Sequence, residues 1–272
     1  MTAELTHETV VAAPPRLLFD LVADVVEAPR YFPTHLYAEV VAAESAERDL
    51  VARWVIDQGA VRGWRLWRTR DTEALTIAFQ HETPKPPLSH MRGEWRFEGQ
   101  ADGGTRVRVR HAYALAPDAP PGAGDTVARQ LDGNVPGQLR AIAGLAGSID
   151  ALRRNTVTTA RSVRVAAPRA ALVAAAARAM GDGTAWAHLE LPDGRLVFKR
   201  YAGLPPHLHT VSGELRCTEE ASGTTVRLTG TATLAGPSVD EEATVAARKE
   251  LEADLHERLT LLARLGPRAA AD

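Results

Sequence analysis

The chain has 272 residues, of which 45% are apolar, with a net charge of −2 and a pI near 6.5. That is enough apolar surface for one or two globular cores, and it lacks the basic excess of a nucleic-acid binder or the basic run that holds a protein to an anionic membrane. The single cysteine, Cys217, excludes disulfide frameworks and cysteine-based zinc sites, and the longest apolar stretch, Ala170 to Met180, is broken by Arg178; with no basic-then-apolar start, a cytoplasmic protein is the expectation.

In chain order, Leu5 to Ala13 reads as a strand stopped by Pro14-Pro15. Pro15 to Val25 follows as a helix, with Leu17, Leu18, Leu21, Val22 and Val25 at helical spacing and proline in the first turn, where its missing N–H is harmless. A short helix or turn is expected over Ala28 to His35. Strand-like runs then occupy 37–43, 50–56, 61–69, 75–81, 90–97 and 105–115. Two alternate clearly: Met91, Gly93, Trp95 and Phe97 face away from Arg92, Glu94 and Arg96, and Val107, Val109, His111 and Tyr113 face away from Arg106, Arg108 and Arg110. A sheet with one polar face needs a cover on the other. Gly124 to Leu152 supplies it, with Leu131, Val135, Leu139, Ile142, Ala146 and Ile149 as an apolar stripe and a kink predicted at Pro136, between Gly133 and Gly137. The expected architecture is α+β, a curved antiparallel sheet wrapped round a long helix with a cavity between them.

The stretch Val61 to Arg70 carries the chemical anomaly. Its alternation sends Trp64, Leu66 and Arg68 to one face, with Arg65, Trp67 and Arg70 assigned to the other. A guanidinium does not lose its proton, so Arg68 beside a tryptophan and a leucine needs an anion or a lone pair, which a bound carbonyl or enolate would provide. The alternative is an inverted strand, with Arg68 solvated or paired to a neighbouring Asp or Glu. His35, His81 and His111 read either as proton-transfer and orienting groups or as hydrogen-bonded core residues. Gln130, Asn134 and Gln138, spaced i, i+4, i+8, form either a ligand-facing stripe or a solvated face. Glu241, Glu242, Glu250 and Glu252 read as surface charge, Gly103-Gly104 as a hairpin turn, and the histidine spacings suggest no metal site.

An internal repeat sets the domain count. Gly93-Glu94-Trp95-Arg96 recurs as Gly213-Glu214-Leu215-Arg216, and Ala12-Ala13-Pro14 as Ala166-Ala167-Pro168. The offset is 154 residues at the second motif and 120 at the first, so the later copy is about 34 residues shorter between them. Two domains are expected, 1–154 complete and 155–272 abbreviated. The second copy offers Trp186-Ala187-His188-Leu189-Glu190 where the first has its arginine strand, and closes with a helix from Val239 to Leu265. The abbreviated half is expected to lack an enclosed pocket and to serve packing or self-association, as in a homodimer, with His188, Glu190 and Arg200 as its few polar groups.

Pro29, Phe32-Pro33, Glu39, Trp64-Arg65-Leu66-Trp67-Arg68, Met91-Arg92-Gly93-Glu94-Trp95 and Gly103-Gly104-Thr105 together resemble the didomain polyketide aromatase/cyclases of bacterial aromatic (type II) polyketide pathways, in the START/Bet v1-like helix-grip superfamily. The resemblance is good over the first 154 residues and weaker beyond, where Leu196-Val197-Phe198-Lys199 and Leu204-Pro205-Pro206 fit the second domain. It implies two tandem helix-grip domains. A poly-β-ketone tethered to acyl carrier protein would enter the first, where aldol condensation closes the first ring and dehydration aromatises it, joining carbons seven and twelve of a ketoreduced chain. No cofactor or metal is implied; the partners implied are the carrier protein, the polyketide synthase and the ketoreductase of the same pathway. Arg68 matches the family's cavity arginine, and His35 falls where single-domain relatives place a tyrosine, which assigns catalytic roles to both. Phe32, Trp64, Leu66, His81, Met91, Trp95, His111, Tyr113, Gln130 and Asn134 become substrate-binding candidates. The rival reading is a non-catalytic carrier or ordering chaperone for a lipid or polyketide, which would have little use for a dry cation deep in the pocket.

Overall fold

A computed structural model of the chain describes residues 2–57, 59–179, 185–221, 223–236 and 240–265. The first copy runs β1 (Thr2–Val11), α1 (Pro15–Ala23), α2 (Ala28–Tyr31), β2 (His35–Ala43), β3 (Arg48–Asp57), β4 (Ala60–Asp71), β5 (Thr76–His81), β6 (Leu88–Gly99), β7 (Thr105–Leu115), α3 (Ala123–Ala146) and α4 (Ile149–Arg154). The second runs β8 (Thr156–Val165), α5 (Arg169–Ala179), β9 (Trp186–Glu190), β10 (Leu196–Arg200), β11 (Leu208–Glu220), β12 (Gly223–Leu234) and α6 (Glu241–Leu265). Met180 and Val239, which bound two of the stretches read from the sequence, lie outside the described residues. The strands form a seven-stranded sheet, β1-β7-β6-β5-β4-β3-β2, and a five-stranded sheet, β8-β12-β11-β10-β9.

The first sheet follows from its alternation. Val107 and Val109 are fully buried and Phe97 nearly so, and the edge of Phe97 meets Phe19 of α1 at 6.0 Å. Met91, Tyr113 and Val127 of α3 form one cluster with Leu5 and Leu131 packed on it, so α3 covers the apolar face. Pro136 stays inside α3, where Val135 and Leu139 on either side are buried. The helix instead ends at Gly147-Ser148, where the Ser148 N–H and hydroxyl both donate to the Leu145 carbonyl.

The repeat is visible in matched contacts. Thr105 Oγ1 donates to the Ala13 carbonyl at 2.6 Å, and Thr224 Oγ1 donates to the Ala167 carbonyl at 2.6 Å. The Phe79 ring lies where a Cβ on Gly93 would be, and the Phe198 ring lies likewise over Gly213. Register pairs Arg68 with Phe79 and Phe79 with Gly93 in the first sheet; it pairs His188 with Phe198 and Phe198 with Gly213 in the second. His188 therefore stands at the position of Arg68, and the residues missing from the second copy are the counterparts of α2, β2 and β3.

By packing, the chain divides differently from a single cut at residue 154. One compact unit is Met1–Ala28, Ala38–Arg53 and Gly63–Ile149; the other is Pro29–Tyr37, Trp54–Arg62 and Asp150–Asp272. In the second unit, Leu255, Leu259 and Leu262 of α6 join Leu196, Leu215 and Leu228 of the sheet in one buried core. Leu251 and Leu255 lie so close to Gly230 that a Cβ there would meet both.

The same unit is tied together by a buried lysine to which the sequence reading gave no structural role. Lys199 Nζ, fully buried, donates to the carbonyls of Pro29, Phe32 and His35 at 2.5, 2.7 and 2.8 Å. An ammonium has three N–H donors and can point one at each carbonyl, which the planar arginine fork cannot do. Burial lowers its pKa to about 7. The adjacent Arg30 and Tyr31 carbonyls accept from Thr210 Oγ1 at 2.8 Å and pair with His209 Nε2 at 2.6 Å, so the whole turn is held through its backbone. Each buried carbonyl left without a donor costs about 1–3 kcal/mol. Lys199→Met is therefore expected to lower unfolding stability by about 3 kcal/mol or more, summed over three carbonyls. Urea titration measures it; an unshifted midpoint would show that these bonds contribute nothing net.

Candidate functional site

Alternation puts Asp49 and Arg53 of β3, Trp64, Leu66 and Arg68 of β4, Phe79 and His81 of β5, Met91 and Trp95 of β6, His111 and Tyr113 of β7 and His7 of β1 on the helix-covered face of the first sheet. All belong to the first compact unit. Arg68 points inward, 4% exposed, and its partner is a protein carboxylate rather than a group left for a ligand. Nε and Nη2 donate to the two oxygens of Asp49 at 2.9 and 2.8 Å, and Nη1 donates to the Ala23 carbonyl, at the negative end of α1, at 2.8 Å. Three of its five N–H donors are thus engaged, which fixes the plane of the guanidinium. Arg70, assigned above to the opposite face, also reaches Asp49, at 3.2 Å. Residues 68 and 70 are an even number apart, so strand period two puts them on the same side.

Next along this face, the Arg53 guanidinium lies 5.2 Å from the Trp64 ring, and the Trp64 and His81 rings stack in parallel at 6.3 Å. Burial, and then the nearby charge of Arg68, lowers the Arg53 pKa to about 10, so it stays cationic at neutral pH. Burial and Arg53 both lower the His81 pKa. His111 meets the edge of Phe79 at 5.4 Å; burial first, then His7 and His81, lower its pKa to about 4, which keeps it neutral. His7 Nε2 lies 2.9 Å from Asp132 Oδ1 on α3.

Leu66 and Met91 are buried and Trp95 is half-buried on this face. The Tyr113 hydroxyl is committed to α3, donating to the Gly124 carbonyl at 3.1 Å. Gln130, Asn134 and Gln138 are exposed on α3. Phe32 and His35 stack on each other at 4.8 Å but belong to the second unit, so they are not gathered with Arg68 in one compact body. Asp49, Arg53, His7 and Asp132 were missed in the sequence. For the first two a signal existed, because Asp49, Val51 and Arg53 share one parity in a strand whose Leu50 to Ile56 run was legible.

Two open clefts lie elsewhere. One of about 330 Å³ includes Trp67, Thr69, Arg92, Glu94 and Arg110 of the opposite face of the first sheet; Arg48 lies 5.0 Å over Trp67. The other, of about 450 Å³, lies in the second unit and includes Arg169, Val173, Glu190 and Pro192. Among the described residues, no cluster of His, Cys, Asp and Glu is arranged to hold a metal ion, and no helix is long and apolar enough to cross a membrane.

Residues 11–139 match the family described as "Polyketide cyclase / dehydrase and lipid transport". Over 122 residues the chain is 31% identical to a putative polyketide cyclase of Streptomyces cyaneus, covering 44% of this chain and 78% of that protein. The chain belongs to the polyketide cyclase/dehydrase family. This family member is also 36% identical over 141 residues to the granaticin polyketide synthase bifunctional cyclase/dehydratase of Streptomyces violaceoruber, covering 52% of itself and 43% of that relative, so it spans less than half the relative's length. The crystal structure of the di-domain ARO/CYC BexL from the BE-7585A biosynthetic pathway superposes with a TM-score of 0.72 at 21% identity, over 97% of this chain and 98% of that one, which shows a shared two-domain fold. That shared fold accounts for both sheets, each with its helix.

His111 gives a pH test of this site. An unfolded histidine takes up its proton as pH falls through about 6.5, whereas folded His111 does so only near 4. Between those values the unfolded chain binds more protons, so stability is lost as pH falls, by at most about 3 kcal/mol. In urea titrations at pH 7 and pH 4.5, the loss should be smaller in His111→Gln than in the wild type; equal losses would refute the depressed pKa.

Proposed function

We propose that the first unit is the catalytic half of an aromatase/cyclase, which closes the first ring of a carrier-protein-bound poly-β-ketone by intramolecular aldol condensation and dehydration. The bond formed joins carbons seven and twelve of a ketoreduced chain, and the working partners are the acyl carrier protein, the polyketide synthase and the ketoreductase of one pathway. The observation that carries this reading is the row of two guanidiniums, the buried Arg68 and the half-buried Arg53, beside Trp64 and the weakly basic His81 and His111 on one covered face.

Aldol closure requires an enolate formed between two carbonyls and held while it attacks a third. A fixed cation in a poorly solvated site stabilises that developing charge far more than it would in water. Asp49 orients Arg68, and the N–H groups not given to Asp49 or Ala23 are the ones offered to a ketone oxygen. Trp64 and Trp95 wall the chain. The chemistry uses no metal or organic cofactor. A carrier of apolar ligands would have no use for these buried charges, which cost free energy to desolvate. We assign the second unit to packing or self-association, on the strength of its leucine-filled core.

Removing Arg68 alone would strand the buried Asp49, at a cost of about 3–5 kcal/mol, and confound activity with unfolding. The pair Arg68→Met with Asp49→Leu replaces both charges by apolar groups of similar size, a change that buried ion pairs often tolerate. In a reconstituted pathway the double variant should stay folded and lose correct first-ring product at least about a hundredfold. Wild-type amounts of aromatic product from the double variant would overturn the role of the pair.

A further inference from the structure

Away from the arginines, the same covered face holds a second polar arrangement. In the β1–β7 register, Leu5 pairs with His111 and His7 with Val109, so the two histidines are diagonal neighbours on one side of adjacent strands. His7 is only 14% exposed, and its Nε2 is bonded to Asp132 Oδ1 across 125 residues of sequence. A carboxylate accepts and does not donate, so Nε2 carries the hydrogen and Nδ1 keeps its lone pair. That Nδ1 is buried, as is Nδ1 of His111, and neither has a hydrogen-bond partner among the described residues. A buried ring nitrogen without a partner is costly to keep. An ion pair kept for stability alone would not need two such atoms beside it.

We infer that His7 and Asp132 form the proton-transfer dyad of the dehydration step, an assignment that rests on the cyclase reading above. The substrate class is the β-hydroxy ketone that aldol closure produces. His7 Nδ1 takes the proton from the carbon between the carbonyl and the carbinol, and the C–H electron pair moves into the enolate. The enolate then expels the hydroxyl: the C–O bond breaks, the ring double bond forms, and the proton on His7 Nδ1 goes to the departing oxygen, which leaves as water. His7 ends neutral, and no other reactant is consumed. Asp132 is a positioning residue that fixes the tautomer and stabilises the transient imidazolium; His111, the diagonal neighbour, orients the leaving oxygen.

The test uses the full chain, reconstituted with the polyketide synthase that supplies the poly-β-ketone, with products followed by mass spectrometry. His7→Phe should cut aromatic product about a hundredfold or more while the ring-closed, undehydrated alcohol accumulates. Asp132→Asn, at a solvent-facing position that folding tolerates, should give a smaller loss with the same alcohol, and Asp132→Glu should restore activity in part. Wild-type levels of aromatic product from His7→Phe and Asp132→Asn would overturn the dyad and leave the cyclase reading standing. Loss of the ring-closed alcohol along with the aromatic product in Asp132→Asn would also overturn it, by moving the residue out of dehydration. A wild-type protein that forms no ring at all would overturn both readings.

Discussion

The covered face of the first sheet depends on one buried ion pair, Arg68 with Asp49. A guanidinium on that face is tolerable only because a carboxylate in the next strand meets it with two parallel hydrogen bonds and the last carbonyl of α1 takes a third. The pair adds little net stability, since desolvation of both ions offsets most of their attraction. It adds orientation. α1, β3 and β4 are locked at one point, and the charge that holds them also sets the field felt by Arg53 and, through Arg53, by His81.

From there the face grades from cationic to neutral. Arg53 and Arg68 stay charged, while burial and mutual repulsion leave His111 unprotonated at neutral pH. Gly93 permits the arrangement, because the Phe79 ring occupies the place of its missing Cβ and turns an edge to His111. The charged and the neutral groups are separated across five strands, from β3 to β7.

The second copy keeps the frame of the first with other residues on it. Thr224 repeats the buried anchor of Thr105, and Phe198 over Gly213 repeats Phe79 over Gly93, yet His188 stands where Arg68 would be and, among the described residues, no strand stands where one would carry an Asp49. With two fewer strands, the unit fills its interior with leucines from α6 and takes in the Pro29–Tyr37 turn, whose carbonyls surround Lys199.

The sequence by itself determined the element order of the first copy and the repeat with its shortened second copy, because both rest on local periodicity and on residues recurring at fixed spacing; it left Arg68 open between an inward and an inverted strand. Strand period two separated Val107, Val109 and His111 from their arginine neighbours without any knowledge of the partner strands. Only the tertiary structure decided who meets whom. Asp49 is 19 residues from Arg68, Asp132 is 125 from His7, and Lys199 is 170 from Pro29, and no local pattern ties members of such pairs together. It also decided that Phe32 and His35, read with the first domain because the repeat put its boundary at residue 154, pack in the other unit, where a buried three-donor ammonium satisfies their carbonyls.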